Sequence, residues 1–199
     1  GSGVFDNLSD GGKYIGSMTS KLSIFNATTD MDGYIYRVVI GGICTPSVES
    51  PEATLTVNMK PAITDHPDDV TICEGNNTSF SVTAVGSALT YEWQVDKNDG
   101  NGFGIITDGG VYSGATTATL VLTGTDRTYS IYNYRVIVCG TCSPDMWSNI
   151  ARLTVNTPPE IITEPVSSTI CEFSNTSFFV TATGGSISYQ WQENNGVSG

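Results

Sequence analysis

Residues 71–84 read TICEGNNTSFSVTA, and residues 169–182 read TICEFSNTSFFVTA. The two stretches lie 98 positions apart, and most of their letters agree. In the first stretch Phe80, Val82 and Ala84 alternate with small polar residues, a period of two that predicts a strand with one face in the core. Such close recurrence at a fixed distance predicts a tandem repeat.

The same offset of 98 residues holds outward from this segment in both directions. The further matches are Tyr91-x-Trp93-Gln94 with Tyr189-x-Trp191-Gln192, Asp10-Gly11-Gly12 with Asp108-Gly109-Gly110, Tyr36-Arg37-Val38 with Tyr134-Arg135-Val136, and Leu55-Thr56-Val57-Asn58 with Leu153-Thr154-Val155-Asn156. We therefore predict the C-terminal half of one repeat over residues 1–58, a complete repeat over 60–156 and the N-terminal part of a third over 159–199.

The composition favours an all-β fold and excludes several classes of function. Charged residues make up 14% of the chain, too few for amphipathic helices, whereas 22 Gly and 8 Pro recur at turn spacing. The net charge of -12 argues against nucleic acid as a partner, since nucleic-acid binding needs clustered Lys and Arg. No apolar run approaches the roughly 20 residues that span a bilayer, so we expect no membrane insertion. The prediction is tandem β-sandwich domains of about 98 residues with Trp93, Tyr134 and Trp191 in their cores.

The motifs in this frame resemble immunoglobulin-like (Ig-like) domains. In detail they are similar to the tandem Ig-like repeats of large cell-surface adhesins of Bacteroidota, including those of the gliding-motility type. The motifs that carry this resemblance are Ile72-Cys73-Glu74-Gly75, Tyr91-x-Trp93-Gln94, Tyr112-Ser113-Gly114-Ala115 and Tyr134-Arg135-Val136. The chain departs from antibody-type domains, because Phe80 or Val82 and Val136 stand where the inter-sheet cysteines would be.

The resemblance implies a non-catalytic, extracellular segment of a bacterial surface adhesin that serves as stalk and multivalent adhesion surface. Its partners would be a surface polysaccharide or glycan, or a surface protein, together with neighbouring repeats of the same chain. The alternative is an accessory Ig-like module array of a secreted polysaccharide hydrolase or protease. A eukaryotic Ig-type receptor is disfavoured by the missing inter-sheet cysteine pair. We expect no enzyme, since the one histidine, His66, precedes Pro67 beside a linker.

Four of the five cysteines recur at the 98-residue offset, which defines the repeat frame. Cys44 corresponds to Cys142 and Cys73 to Cys171, while Cys139 has no counterpart in the first copy. We predict a Cys73–Cys142 disulfide, as recurring cysteines without histidine partners favour an oxidising compartment. The partners of Cys44 and Cys171 would then lie in halves that the chain lacks. A Cys73–Cys139 link and reduced, buried thiols are the alternatives, and a zinc site at Cys139 and Cys142 lacks two further ligands.

Trp147 and Pro144 are the candidate ligand contacts. The first copy has Glu49 at the position of Trp147, and a position that accepts both residues is expected to be exposed. Exposed aromatic rings stack on sugars or anchor a partner protein, although ordinary loop packing is the alternative.

No cofactor is predicted, and calcium is the alternative considered. The turn Asp96-Lys97-Asn98-Asp99-Gly100 resembles a calcium loop, but its glycine comes one position early and its flanks are strands. We therefore predict a solvated hairpin turn. Calcium could instead bind between domains, where Asp65, Asp68 and Asp69 lie near a linker.

Overall fold

A computed structural model describes residues 4–196 of the chain. Among these residues the helices are two single 3₁₀ turns, Thr29–Met31 and Arg127–Tyr129, so the predicted all-β fold is confirmed. No helix in this part of the chain is long and apolar enough to cross a membrane. The first copy contributes short strands: β1 (Tyr14–Ile15), β2 (Ser23–Ile24), β3 (Ile35–Tyr36), β4 (Val39–Ile40), β5 (Val48–Glu49) and β6 (Ala53–Thr54).

The central repeat contains the longer strands, because it alone has both halves of a domain. They are β7 (Ala62–Asp65), β8 (Val70–Cys73), β9 (Thr78–Ser81), β10 (Thr83–Val85), β11 (Thr90–Asp96), β12 (Phe103–Ile105), β13 (Tyr112–Ser113), β14 (Thr119–Leu122), β15 (Asn133–Cys139), β16 (Met146–Trp147) and β17 (Ala151–Asn156). One sheet has the order β12-β11-β15-β17-β8, with β16 paired to β15. The other layer has the order β13-β14-β9, and the pair β10-β7 continues it beyond Val82.

The second and last strands of the central repeat pair with each other in parallel. β8 pairs with β17 so that Val70 lies opposite Leu153 and Cys73 lies opposite Asn156. Both strands therefore run from the N-terminal end of the domain to its C-terminal end, and Cys73 lies beside the linker to the third copy.

The core of the central repeat lies between these two layers. Trp93, Tyr134 and Leu120 are fully buried, and the ring of Phe80 stacks on Tyr134 with centroids 4.7 Å apart. The indole N–H of Trp93 donates to the carbonyl oxygen of Thr117 at 2.9 Å, so the one polar atom of this side chain is satisfied. Every residue of this core lies within residues 63–155, so the central repeat closes its own core.

In this chain the third copy corresponds to the N-terminal part of the central repeat, up to residue 101. β18 (Glu160–Thr163) pairs with β19 (Thr181–Thr183), as β7 pairs with β10 in the central repeat. The predicted core residue Trp191 is 53% exposed, which corrects that prediction. Its ring still lies 6.4 Å from Phe178, but the chain supplies the third copy with no counterpart of residues 102–156, which cover Trp93 in the central repeat. A groove of about 290 Å³ runs beside Trp191 instead.

The two joints between copies have the same backbone contact. At the first joint the Ser87 N–H donates to the Met59 carbonyl oxygen at 3.0 Å. At the second the Gly185 N–H donates to the Thr157 carbonyl oxygen, also at 3.0 Å. Ser87 and Gly185 are counterparts in the repeat frame, and so are Met59 and Thr157. Each linker is therefore held against the same turn of the domain that follows it.

Candidate functional site

The outer face of the larger sheet presents the most distinctive side-chain arrangement. β11 and β15 are antiparallel, with Trp93 opposite Val136 in the core and Gln94 opposite Arg135 one residue further along. Because successive side chains of a strand alternate between faces, Gln94 and Arg135 lie on the outer face.

Arg135 is held between two aromatic rings on this face. Its guanidinium carbon lies 3.9 Å from the ring centroid of Phe103 and 4.3 Å from that of Trp147. Its Nε–H donates to Oε1 of Gln94 at 3.0 Å, and the Gln94 amide donates to Oε1 of Glu92 at 2.9 Å. Cation–π contacts and hydrogen bonds together fix the guanidinium group, and we call Phe103, Arg135 and Trp147 the aromatic–guanidinium stack.

The first copy has the same arrangement with one partner changed. Arg37, the counterpart of Arg135, lies 4.0 Å from the ring centroid of Phe5 and forms a 2.9 Å salt bridge with Glu49. Glu49 stands where the central repeat has Trp147. The position therefore holds a partner for arginine in both copies, an anion in one and an aromatic ring in the other, which explains why it accepts such different residues.

The structure places the two candidate ligand contacts in different settings. Trp147 lies on the short strand β16, paired opposite Ile137 of β15, and not in a loop. Its side chain is 50% exposed, with one ring face directed to Arg135. Pro144 is exposed in the preceding loop, after a cis peptide bond with Ser143. Of the two candidates, Trp147 is the one that lies on a paired strand with its ring in contact with Arg135.

Phe103 and Arg135 were not singled out from the sequence. Both have counterparts 98 residues earlier, Phe5 and Arg37, and this recurrence is the sequence feature that could have identified them. Arg135 was noted only as part of the Tyr134-Arg135-Val136 motif. An arginine flanked by core residues on a strand faces away from the core, so its partners have to come from neighbouring strands.

Burial sets the electrostatics of the core tyrosines. The hydroxyls of Tyr112 and Tyr134 lie 3.2 Å apart beneath the smaller layer. Burial raises the pKa of Tyr112 to about 12. Burial also raises the pKa of Tyr134, with the hydrogen bond to Tyr112 adding to the effect. Both phenols are therefore neutral at physiological pH, and either hydroxyl can donate in the hydrogen bond between them.

The predicted Cys73–Cys142 disulfide is not formed, and all five cysteines have free thiols. Cys73 ends β8 at the C-terminal end of the central repeat, opposite Asn156. Cys142 follows β15 at the N-terminal end, where its Sγ lies 3.6 Å from the carbonyl oxygen of Asn58. The two residues are at opposite ends of the sandwich, because the strands that carry them end on opposite sides.

Four of the remaining polar candidates have structural partners. Nδ1 of His66 accepts a hydrogen bond from the Asn149 N–H at 3.0 Å, and Asp69 accepts one from the Arg152 N–H at 2.7 Å. Asp96 and Asp99 accept from the N–H groups two residues further on, the pattern of Asx turns. Within residues 4–196 no group of three or more His, Cys, Asp or Glu residues is arranged to hold a metal ion.

Solved structures of tandem Ig domains resemble this chain. An I-band fragment of titin aligns with a TM-score of 0.59 and 16% identity over 79% of this chain and 54% of the fragment. A three-domain titin structure with Glu-to-Ala mutations gives a TM-score of 0.58 with the same identity and coverage. The immunoglobulin domains 1–5 of Sidekick-1 match with a TM-score of 0.49, 20% identity, 86% of this chain and 37% of theirs.

The two titin alignments establish the fold, which is that of tandem Ig-like β-sandwich domains. This chain spans about half the length of the titin fragment that it matches. No protein-family model matches the sequence, and no curated protein matches it.

Proposed function

We propose that this chain is a non-catalytic segment of an extracellular bacterial surface adhesin, of the kind found in Bacteroidota, that works as a stalk and a multivalent contact surface. The observation that carries the proposal is the backbone hydrogen bond that the two joints share, Ser87 with Met59 and Gly185 with Thr157. Joints that repeat the same contact attach each linker in the same way to the repeat that follows it. An array built in this way spaces equivalent surfaces at regular intervals away from the cell.

The surface that would make contact is the aromatic–guanidinium stack. Arg135 lies against the Trp147 ring, while half of the Trp147 residue remains exposed. A tryptophan immobilised in this way offers a flat apolar platform at low entropic cost. Sugar rings stack on such platforms, so a surface polysaccharide or glycan is the ligand that we propose. Gliding motility is one setting in which such an adhesin works.

Repetition turns one weak contact into useful adhesion. A single stacked sugar supplies little affinity, but linked copies bind with a high effective local concentration once the first has engaged. The position of Trp147 differs between copies, as Glu49 shows, whereas the arginine recurs as Arg37 and Arg135. The contact surface would therefore vary along the array while the scaffold stays constant.

The test measures retention of the 199-residue chain on immobilised polysaccharides. We expect the Trp147→Ala and Trp147→Glu variants to lose retention, the second while it recreates the arginine–glutamate pair of the first copy. Trp191→Ala is the matched control, since it removes a tryptophan of similar exposure outside the stack. Equal retention by the wild-type chain and both Trp147 variants would exclude the stack as the contact site.

The spacing role is tested separately from binding. Small-angle X-ray scattering of chains with two, three and four repeats should give a maximum dimension that grows linearly with repeat number. A dimension that levels off would show that the joints bend freely. A catalytic domain elsewhere in the same polypeptide would favour the accessory-module alternative.

A further inference from the structure

The two recurring cysteines of the central repeat lie at its two joints. At the C-terminal joint Cys73 is opposite Asn156, the last residue of β17. The next N–H, that of Glu74, donates to the Asn156 carbonyl oxygen at 2.8 Å. Cys73 is exposed and follows Ile72, which packs against the core, so the Cys73 side chain lies on the outer face of the strand.

At the N-terminal joint the other cysteine faces the counterpart of the same carbonyl group. Sγ of Cys142 lies 3.6 Å from the carbonyl oxygen of Asn58, which corresponds to Asn156 in the repeat frame. The preceding N–H, that of Thr141, donates to the Ser87 carbonyl oxygen at 3.0 Å. Cys142 is therefore placed by the turn that also holds the linker.

Because the two joints share a backbone hydrogen bond, the position of Cys142 at the N-terminal joint predicts where its counterpart would lie at the C-terminal joint. Gly185 is the counterpart of Ser87, and it lies against Asn156 while its N–H repeats the contact with the linker. A counterpart of Cys142 in a completed third repeat would therefore face the Asn156 carbonyl oxygen. That oxygen already accepts from Glu74, the residue after Cys73. Both thiols would then lie beside the same linker residue, Asn156.

We infer that the cysteine at the position of Cys73 in each repeat forms a disulfide with the cysteine at the position of Cys142 in the repeat that follows. We call these two positions the Cys73 type and the Cys142 type. The cross-link joins neighbouring domains, whereas the link predicted from the sequence lay within one domain. It accounts for the four recurring cysteines at once. Free thiols are found at all four of these residues, Cys44, Cys73, Cys142 and Cys171. The inferred disulfide partner of each one belongs to an adjacent repeat, in a part that this chain does not include.

The chemistry is thiol–disulfide exchange with a small disulfide or the disulfide of an oxidoreductase as the oxidant. The thiolate of the Cys142 type attacks the oxidant, forms a mixed disulfide and releases one thiol. The thiolate of the Cys73 type then attacks the mixed disulfide, which forms the inter-repeat bond and releases the second thiol. The two protein thiols are oxidised by two electrons, and their two protons end on the released thiols. Extracellular compartments supply such oxidants.

The experiment needs one further half repeat. Residues 102–157 are added directly after Gly199, which completes the third repeat in frame and supplies a second copy of Cys142. The reduced protein is incubated with oxidised glutathione, and its peptides are mapped by mass spectrometry without reduction. We expect a peptide that joins Cys73 to the second copy of Cys142. Cys139→Ser should keep this link and Cys73→Ser should abolish it.

Two outcomes would overturn the inference. One is full alkylation of Cys73 in the oxidised, folded protein, and the other is a link between Cys142 and Cys139. Two copies of residues 60–157 in tandem provide a second arrangement, in which both domains have the complete sequence of the central repeat. The same link is expected there. In the 199-residue chain, by contrast, Cys73 and Cys142 should stay unlinked to each other under the same conditions.

Discussion

The hydroxyl oxygens of Tyr112 and Tyr134 lie 3.2 Å apart, and those of Tyr14 and Tyr36 lie 3.2 Å apart in the first copy. In both pairs the ring centroids are 6.3 Å apart at an interplanar angle of 63°. The first copy keeps this geometry although the chain gives it no counterpart of residues 60–98. The tyrosine pair is therefore built by the C-terminal half of the domain alone.

The buried tyrosines make the central repeat sensitive to alkaline pH. A folded pKa of about 12 for Tyr112, against about 10 in the unfolded chain, means that the unfolded chain releases this proton first. The stabilisation is complete below pH 10 and falls as pH rises towards 12, by about 2 kcal/mol for Tyr112. Urea unfolding at pH 8, 10 and 11.5 measures the loss. Tyr112→Phe should reduce the loss of stability, with the contribution of Tyr134 remaining, whereas Tyr189→Phe, at an exposed tyrosine, should leave the profile unchanged.

Trp93 and Trp191 give a matched pair for measuring what the second half of a domain contributes. They are repeat counterparts, but Trp93 is fully buried and Trp191 is 53% exposed. Trp93→Ala should cost about 4 kcal/mol of unfolding free energy, from lost burial and a cavity. Trp191→Ala should cost less than about 1 kcal/mol. Chemical denaturation followed by circular dichroism tests both, and similar losses would contradict the difference in packing.

Gly114 is required by the turn that precedes β14. Its φ is +79°, and a Cβ atom there would lie 2.3 Å from the Thr119 carbonyl oxygen, which is backbone and has little freedom to move. Gly114→Ala should therefore destabilise the protein by about 3 kcal/mol, since steric overlap adds to the strain of positive φ. Gly104→Ala is the control, because the nearest atom to its Cβ would be 4.0 Å away. The melting temperature of the control should stay close to that of the wild type.

We predict that the fold does not depend on calcium. The carboxylates of Asp96 and Asp99 already accept from the N–H groups of Asn98 and Asn101, which keeps their oxygens in the turn itself. Thermal melts with calcium and with chelator should coincide within about two degrees. A chelator-induced drop of ten degrees would show that the acidic residues near the joints bind calcium after all.

Alternation and the repeat frame predicted much of the central fold. The stretch from Thr78 to Ala84 lies in β9 and β10, interrupted only at Val82, and Trp93, predicted as a core residue, is fully buried in β11. The short strand β16 was missed, because two residues give no readable period. The parallel pairing of β8 with β17 joins residues about 80 positions apart, and local pattern contains no information on such contacts.

The 98-residue offset also gave no information on the end of a domain at which a residue lies. It correctly identified Cys73 and Cys142 as recurring positions, but the end of the sandwich depends on strand direction, and two cysteines at opposite ends cannot pair within one domain. Trp147 illustrates the same limit for a surface. Its difference from Glu49 was visible in the sequence, while the arginine that both residues contact became evident only from strand register.

The parallel pairing of β8 with β17 determines how the domain carries tension. When the chain is pulled from both ends, β8 is drawn towards the N-terminal end and β17 towards the C-terminal end. The two strands must then slide past each other along their length, so the hydrogen bonds between Val70–Cys73 and Leu153–Asn156 bear the load together and do not open one after another. Shear of this kind resists force better than peeling, and every complete repeat in an array would contain the same clamp.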